Sequence, residues 1–360
     1  MDQEQAIPPE ETILRMVKLE LSQVSGTDAS ARSSIVACVL DQLTLDMLNT
    51  IPTFLGYESL NPDDAPYCIT PSSDPAVGLG MFVKEDLTEG DLILAERPLA
   101  ILPASVLGGF SESDLEDLFD QLTALMDDRA RSAFFALADC HKGPCRALGI
   151  FKTNGIGLGD DLVYPDDSGD SAYVGVFERA SRINHSCSPN AVYHFDLQSF
   201  CLVVRAIRHI SKGEEIFISY SETLLQAATR RQNSLQDYGF RCACPACAMS
   251  DISDAHRARI GSARPVDLRT PPEEIVAISG EQVWLIELEG LQMLGQYVEN
   301  ALFLIVAYTA LEDPARAAVY EDKVRCWEIA IRGEHANFDN IELAKRAGLR
   351  IAAAARNDDT

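Results

Sequence analysis

The chain has 360 residues, 47% of them hydrophobic and 24% charged, which is ordinary for a globular protein of one large or two moderate domains. Its 55 acidic and 30 basic residues give a formal net charge of −25. So acidic a surface repels phosphate backbones, which argues against direct nucleic-acid binding, and it attracts basic protein partners. The alternative is that the charge only keeps the protein soluble.

The first residues are acidic and lack the basic-then-apolar order of a signal peptide. The longest apolar run, around residues 301–307, is too short to span a bilayer. Ten cysteines without a secretory signal favour reduced thiols and a metal site over a disulfide framework. These features predict an intracellular protein, nuclear or cytoplasmic, with no membrane segment.

Residues 1–74 are predicted to be an N-terminal helical extension followed by a linker. Helical periodicity is found at 11–21 and at 34–48, where apolar residues recur every four positions at Ile35, Val39, Leu43 and Met47. Five prolines between positions 52 and 75 indicate loop and linker.

Short β-type runs follow within 77–83 and 87–96, broken by the Glu-Gly-Asp turn at 89–91, and together they predict a hairpin. Residues 111–137 are predicted to be helical, with Ser111 and Asp114, or Ser113 and Glu116, as the capping pair. Residues 149–158 read as a strand that ends in a glycine turn.

Cys140, His141 and Cys145 lie close enough to ligate a metal but lack a visible partner pair, which favours a loop. Several short strands separated by turns are predicted between 172 and 220. From about 273 to 355 the 3/4 spacing of apolar residues predicts helices, with a break before Pro314.

Three ordered blocks carry the chemistry. Asn-His-Ser-Cys-Ser-Pro-Asn at 184–190 is an irregular polar segment between apolar ones, because proline disfavours the helical conformation of its predecessor. Gly-Glu-Glu-Ile-Phe-Ile-Ser-Tyr follows at 213–220, and Cys-Ala-Cys-Pro-Ala-Cys at 242–247. Three blocks in this order are far more specific than any one of them alone.

With these blocks the chain resembles SET-domain proteins, the fold of most protein-lysine methyltransferases, over roughly residues 75–250. It is most similar to the branch that pairs SET with a MYND finger and to that branch's finger-less fungal-type relatives. No array like a MYND finger is present in the sequence, which is the main departure from that branch.

The resemblance implies an α+β fold: a β-rich SET domain at 75–220 with a helical insert at about 103–148, a zinc-bound post-SET segment at 221–250 and an all-α region at 270–360. It also implies a pseudoknot, in which the Asn-His-Ser-Cys segment lies beside the segment that ends in Tyr220.

The resemblance also implies roles for single residues. Tyr220 corresponds to the family's catalytic tyrosine, and Tyr238 to an aromatic residue that closes the lysine channel. The residues expected to contact S-adenosylmethionine (SAM) are Gly78, Leu79, Gly80, Asn154, Asn184, His185, Tyr220 and Phe240, with Val77 as a further candidate. The bland alternative for each aromatic residue is a place in the core.

Cys242, Cys244 and Cys247 supply three thiolates, whereas a structural zinc requires four ligands. In the family the fourth ligand is the cysteine of Asn-His-Ser-Cys, here Cys187. Three exposed thiols without a metal are the poorer explanation.

The sequence therefore predicts a SAM-dependent protein-lysine N-methyltransferase with a structural Zn²⁺ and a lysine-bearing, basic protein substrate, histone or non-histone. The alternative is a SET-fold protein that binds partners and does not catalyse. Substrate, methylation state and oligomeric state are left open.

Overall fold

The computed structural model describes residues 14–21, 34–51, 65–72, 78–159, 162 and 173–358. The strands are β1 (Leu14–Leu21), β2 (Ser34–Asp41), β3 (Tyr67–Pro71), β4 (Leu79–Val83), β5 (Leu92–Glu96), β6 (Ala100–Pro103), β7 (Ile156–Gly157), β8 (Tyr173–Val176), β9 (Asn184–His185), β10 (Ala191–Asp196), β11 (Cys201–Ala206) and β12 (Glu215–Ile218).

The helices are α1 (Gln42–Thr50), α2 (Val106–Gly109), α3 (Glu112–Ala124), α4 (Asp128–Phe135), α5 (Arg146–Asn154), α6 (Ala228–Asn233), α7 (Pro245–Ala248), α8 (Ser250–Gly261), α9 (Pro272–Glu289), α10 (Gly295–Ala310), α11 (Pro314–Arg332) and α12 (Asp339–Asp358). None of the helices in the described residues combines the length and the hydropathy that a bilayer-spanning segment needs.

The chain divides into two compact units. The first contains residues 1–59, 96–181 and 195–202, and the second contains 60–95, 182–194 and 203–360. The α+β fold that the sequence predicts is confirmed, with strands concentrated before residue 220 and helices after it.

The first unit contains a sheet of order β1-β2-β6-β8-β7. β1 and β2 pair antiparallel, whereas β2 and β6 pair in parallel. The helical insert is present as α2 to α5, and its core includes Phe119 and Phe151, whose ring centroids are 5.4 Å apart. Ser111 accepts a hydrogen bond from the Asp114 N–H at the start of α3, so the first predicted capping pair is confirmed.

Two secondary-structure predictions for the first unit are wrong. β1 is a strand where a helix was predicted. Of the helix predicted at 34–48, residues 34–41 form β2 and only 42–48 are helical, as part of α1, because a spacing of four residues fits both the helical and the strand period. The β-branched residues Ile35, Val36 and Val39 of β2 favour the strand. The predicted strand at 149–158 is instead the second half of α5 followed by the two residues of β7.

The second unit contains a sheet of order β3-β4-β12-β9. β4 pairs with β3 and β12, while β5 belongs to a separate sheet of order β10-β11-β5, so the predicted hairpin of residues 77–96 is not formed. β3 also lies within the stretch predicted to be linker. β4 and β12 are more than 130 residues apart in the sequence, so local sequence alone does not indicate that they pair.

The predicted C-terminal helices are present as α9 to α12. Val283, Leu285 and Ile286 of α9 are buried, and Tyr297 and Leu304 of α10 share their core. Trp284 and Leu288, which belong to the predicted apolar stripe, are 56% and 53% exposed, so the buried face of α9 is displaced from the prediction.

Candidate functional site

The centre of the site is the parallel pairing of β9 with β12 in the second unit. Asn184 lies opposite Phe217 and His185 opposite Ile218. The buried Asn190 extends this pairing, because its side-chain oxygen accepts the Phe217 N–H at 2.7 Å and its amide donates to the Glu215 carbonyl at 2.8 Å. The predicted apposition of the Asn-His-Ser-Cys segment with the strand leading to Tyr220 is thereby confirmed.

Tyr220 lies two residues after the end of β12 and is fixed at two points. Its phenol donates to the Ile183 carbonyl at 2.6 Å, and its backbone N–H donates to Nδ1 of His185 at 3.0 Å. Burial, and then the neighbouring Tyr238 and Glu215, raise the pKa of Tyr220 well above its usual range. The phenol is therefore a protonated hydrogen-bond donor at neutral pH rather than a base.

His185 connects Tyr220 to the cysteines. Since Nδ1 accepts the Tyr220 N–H, Nε2 carries the proton and donates toward the Cys187 sulfur, 3.4 Å away. Burial lowers the pKa of His185 to about 4, which keeps the ring neutral at physiological pH. Both ring nitrogens thus have protein partners.

Aromatic rings surround Tyr220. The Tyr238 ring centroid is 5.0 Å from that of Tyr220, and the Phe240 centroid is 6.5 Å from it and 6.3 Å from that of His185. All three predicted aromatic residues of the site are therefore together. Such rings exclude water and attract cationic methyl-bearing groups.

Tyr193 on β10 lies near Tyr238, and the sequence analysis did not identify it as part of the site. Burial, followed by the proximity of Tyr238 and Glu222, raises the pKa of Tyr193 to about 12. Its position on the strand after the Asn-His-Ser-Cys segment is the signal that could have identified it.

Gly78, Leu79 and Gly80 lie at the start of β4, on the same sheet as Asn184. Gly78 has φ of +78°, a conformation that favours glycine. The Leu79 carbonyl accepts from the Asn184 side-chain amide at 3.1 Å. We call β4, β9 and β12 the strand wall. Val77 lies outside the described residues.

Asn154 lies in the first unit, at the C-terminal end of α5. Its buried side-chain amide donates to the carbonyls of Ala138 and Ile150, both at 2.7 Å. These bonds fix the end of the helix, and a cofactor contact by Asn154 stays a prediction.

Cys187, Cys242, Cys244 and Cys247 form one cluster, with all four sulfur atoms within 4.8 Å of one another. The sulfur of Cys187 is 4.0 Å from that of Cys242 and 3.6 Å from that of Cys247. Zinc–sulfur bonds of about 2.3 Å in a tetrahedron separate the sulfurs by about 3.8 Å, so the cluster fits a structural zinc.

No second metal-binding group of three His, Cys, Asp or Glu side chains occurs among the described residues. Cys140, His141 and Cys145 accordingly do not form one, in agreement with the loop predicted there. Cys145 instead caps α5, since its sulfur accepts the Leu148 N–H.

Three of the four cysteines belong to residues 236–247, which we call the cysteine flap. A single turn of 3-10 helix at Gln236–Tyr238 ends at Gly239, whose φ is +72°. The Gln232 side chain donates to the Cys242 carbonyl at 2.8 Å and accepts the Cys242 N–H at 3.1 Å. These two bonds close the loop between Gln232 and Cys242, which carries Tyr238 and Phe240.

Charged groups also surround this cluster. Hydrogen bonds among the four thiols lower the pKa of Cys247 and raise those of Cys187 and Cys242, so the thiols share their protons unequally. The fully buried Arg231 faces Cys187 and Cys247, donates to the Ala246 carbonyl at 3.3 Å and pairs with Asp254 at 3.0 Å. Zinc with four thiolates carries a net charge of −2, which a buried guanidinium partly offsets.

Residues 78–221 match the SET domain family, the block in which the strand wall and Tyr220 lie. This part of the chain is therefore similar to SET domains, and proteins named for SET and MYND domains are among its relatives.

Among the relatives is "Histone-lysine N-methyltransferase set5" of Schizosaccharomyces pombe, 28% identical over 52% of this chain and 54% of that protein. "Histone-lysine N-methyltransferase ASHR1" of Arabidopsis thaliana is 48% identical over 21% of this chain and 15% of its own length. "Histone-lysine N-methyltransferase SMYD3" of Mus musculus is 37% identical over 22% of this chain and 18% of its own length. The chain spans about half the length of set5 and smaller shares of the other two.

Proposed function

We propose that this protein is a SAM-dependent protein-lysine N-methyltransferase. The observation that carries the proposal is the parallel pairing of β9 with β12, which brings Asn184 and His185 beside Tyr220 and its aromatic neighbours. The SET-domain match and the similarity to proteins named as histone-lysine N-methyltransferases support the same activity.

In this reaction the neutral amine of a lysine attacks the methyl carbon of SAM, and the carbon–sulfur bond breaks with its electron pair passing to sulfur. SAM supplies an electrophilic methyl group on a sulfonium, and S-adenosylhomocysteine (SAH) is the product. A lysine with a pKa of about 10.4 is mostly protonated in water, so its proton must pass to solvent before attack.

Tyr220 is proposed to orient the acceptor amine and the methyl group. Its protonated phenol and the Ile183 carbonyl form a fixed polar pair at 2.6 Å in an otherwise aromatic surrounding. Alignment of donor and acceptor lowers the barrier chiefly by holding the reacting atoms in line.

Tyr238 and Phe240 are proposed to form the walls around the lysine and the adenine, respectively. The rings exclude water, which favours the uncharged amine, and their faces stabilise positive charge as it moves from sulfur to nitrogen. Gly78, Leu79, Gly80, Asn154, Asn184 and His185 are proposed to hold SAM. His185 would do so through its main chain, because both ring nitrogens are engaged by the protein.

A structural Zn²⁺ is proposed at Cys187, Cys242, Cys244 and Cys247. It would join the Asn-His-Ser-Cys segment to the cysteine flap and so fix the position of Tyr238 and Phe240. We further propose a basic, lysine-bearing protein substrate, histone or non-histone, inside the cell. The net charge of −25 favours such a partner.

The test is incubation of the protein with a proteome extract and methyl-labelled SAM, followed by mass-spectrometric identification of the labelled sites. The expected result is label on lysines of basic proteins, absent when Tyr220→Phe replaces the wild type. Tight SAM binding without any labelled lysine would instead favour a partner-binding SET-fold protein that does not catalyse.

A further inference from the structure

Glu215, the first residue of β12, lies in the strand wall next to residues that are proposed to hold SAM. Its side chain is buried, with 7% of the residue exposed. Oε1 accepts from the Asn184 amide at 2.7 Å, and Oε2 accepts from the Ser72 hydroxyl at 3.0 Å. Its hydrogen-bond partners are thus neutral groups on two other segments of the sheet.

These contacts determine which way the Asn184 amide points. Its nitrogen donates one hydrogen to Glu215 and the other to the Leu79 carbonyl at 3.1 Å. Both partners are acceptors, so the nitrogen and the oxygen of the amide cannot exchange places without losing both bonds. Within the described residues the amide oxygen has no hydrogen-bond partner, and Asn184 is partly exposed.

Gly80 gives independent support, because it leaves the space that the carboxylate occupies. A Cβ atom at Gly80 would lie 2.1 Å from Oε1 of Glu215 and 3.2 Å from the Asn184 side-chain nitrogen. Any larger residue would displace the carboxylate, since contacts below 3.0 Å do not occur between unbonded heavy atoms of this kind. Gly78 differs, because a Cβ atom there would meet nothing within 4 Å.

We propose that Glu215 is a positioning residue of the cofactor site. It orients the Asn184 amide so that only the amide oxygen is left to accept from a hydrogen-bond donor of SAM. The inference rests on the proposed function and adds to it a residue that acts through Asn184 without touching the cofactor.

The test is isothermal titration with SAH, the reaction product, against the zinc-loaded protein and four variants. Glu215→Leu removes both acceptors at similar volume, and we expect the Kd for SAH to rise about tenfold. Glu215→Gln should bind within about threefold of wild type, because its oxygen accepts from Asn184 and its amide donates to Ser72. Loss of binding in Glu215→Gln would overturn the proposal and indicate a need for the charge itself.

The other two variants separate positioning from a general effect on the fold. Asn184→Ala should weaken SAH binding, and Glu215→Leu should add nothing in the Asn184→Ala background. Additive losses in the double variant would overturn the proposal, since a merely structural role of Glu215 predicts them. Zinc content and the thermal unfolding midpoint are measured for each variant.

A second route protects the test against misfolding of Glu215→Leu. Gly80→Ala displaces the Glu215 carboxylate without changing the residue at position 215. We expect Gly80→Ala to lower the affinity for SAH, and to cause no further loss when Asn184→Ala is already present. Glu214→Leu, one residue earlier, is the matched control and should bind SAH normally. A wild type that does not bind SAH would refute the proposed function as well, whereas normal binding by Glu215→Leu and Gly80→Ala would refute only the role of Glu215.

Discussion

The strand wall and the cysteine flap both contact Tyr220 and are stabilised by different interactions. The strand wall has paired strands and buried polar side chains, with Asn190 and Glu215 bonded to their neighbours. The cysteine flap has one 3-10 turn and the short α7, and four sulfurs converge on it. The strand wall is therefore held by contacts within the polypeptide, whereas we expect the position of the aromatic residues in the flap to depend on the proposed zinc.

Removal of the metal should therefore damage the flap more than the strand wall, and this is the largest effect that we predict. In Cys244→Ser, zinc should fall from about one atom per chain to nearly none, and methyl transfer should fall about 100-fold or more. The Kd for SAH should rise by less than about tenfold, because Asn184 and Glu215 stay in place. Elemental analysis, a methyl-transfer assay and titration measure the three quantities.

Cys68→Ser is the matched control, since Cys68 is exposed on β3 and lies outside the cluster. It should retain both zinc and activity. Full activity of metal-free Cys244→Ser would show that the flap is ordered without the four sulfurs.

Tyr220→Phe should separate chemistry from cofactor binding. We expect kcat to fall about 100-fold, because the phenol that bonds to Ile183 is lost, while SAH binds within about threefold of wild type. Tyr308→Phe, on α10 and stacked on Tyr320, is the control and should be fully active. If kcat fell equally in Tyr220→Phe and Tyr308→Phe, the loss in Tyr220→Phe would be explained by altered packing rather than by a role in methyl transfer.

The pH dependence of the same enzyme follows from the raised phenol pKa values. Because burial raises the pKa of Tyr220 and brings that of Tyr193 to about 12, both phenols stay protonated up to about pH 10. The wild-type rate should therefore not decline from phenol ionisation between pH 8 and about pH 10. A decline over that range in the folded wild type, absent in Tyr193→Phe, would contradict the assigned protonation.

Arg231→Met should weaken zinc binding by about 10- to 100-fold, because the buried guanidinium that faces Cys187 and Cys247 is lost. Competition with a chromophoric chelator measures the zinc affinity. Arg257→Met is the matched control, since Arg257 is equally buried but bonds to Glu289, Ser188 and the Leu224 carbonyl. It should destabilise the fold with a smaller change in zinc affinity, and equal changes would argue against a specific role of Arg231.

Gly78→Ala should give the smallest effect, about 1 kcal/mol of lost stability, because only the left-handed backbone conformation resists the substitution. Thermal unfolding of Gly78→Ala and Gly80→Ala measures the difference between the two glycines. A larger loss in Gly78→Ala than in Gly80→Ala would contradict the close contact between Gly80 and Glu215.

The sequence predicted the parts of the site whose residues are grouped in motifs. The cysteine cluster, the pairing of residues 184–185 with the strand before Tyr220, and the proximity of Tyr238 and Phe240 are all present. Each was implied by the resemblance to SET-domain proteins, which these compact motifs carry.

The missed features depend on long-range contacts. No role was predicted for Glu215, because its partners Asn184 and Ser72 are 31 and 143 positions away in the sequence. Arg231 lies on the short α6, and its role became visible only from its proximity to Cys187 and Cys247 in the structure. Residues 34–41 were mistaken for helix because their four-residue spacing fits both periods, and only the pairing of β1 with β2 decides between them.

Titration of the zinc-loaded protein with SAM tests the central claim most directly, since every proposed role assumes that the strand wall and the cysteine flap enclose this molecule. We expect about one equivalent of SAM to bind with a Kd in the micromolar range, and the heat to disappear when an excess of SAH is present. A folded, zinc-loaded protein that shows no binding at about 100 μM SAM would contradict the account.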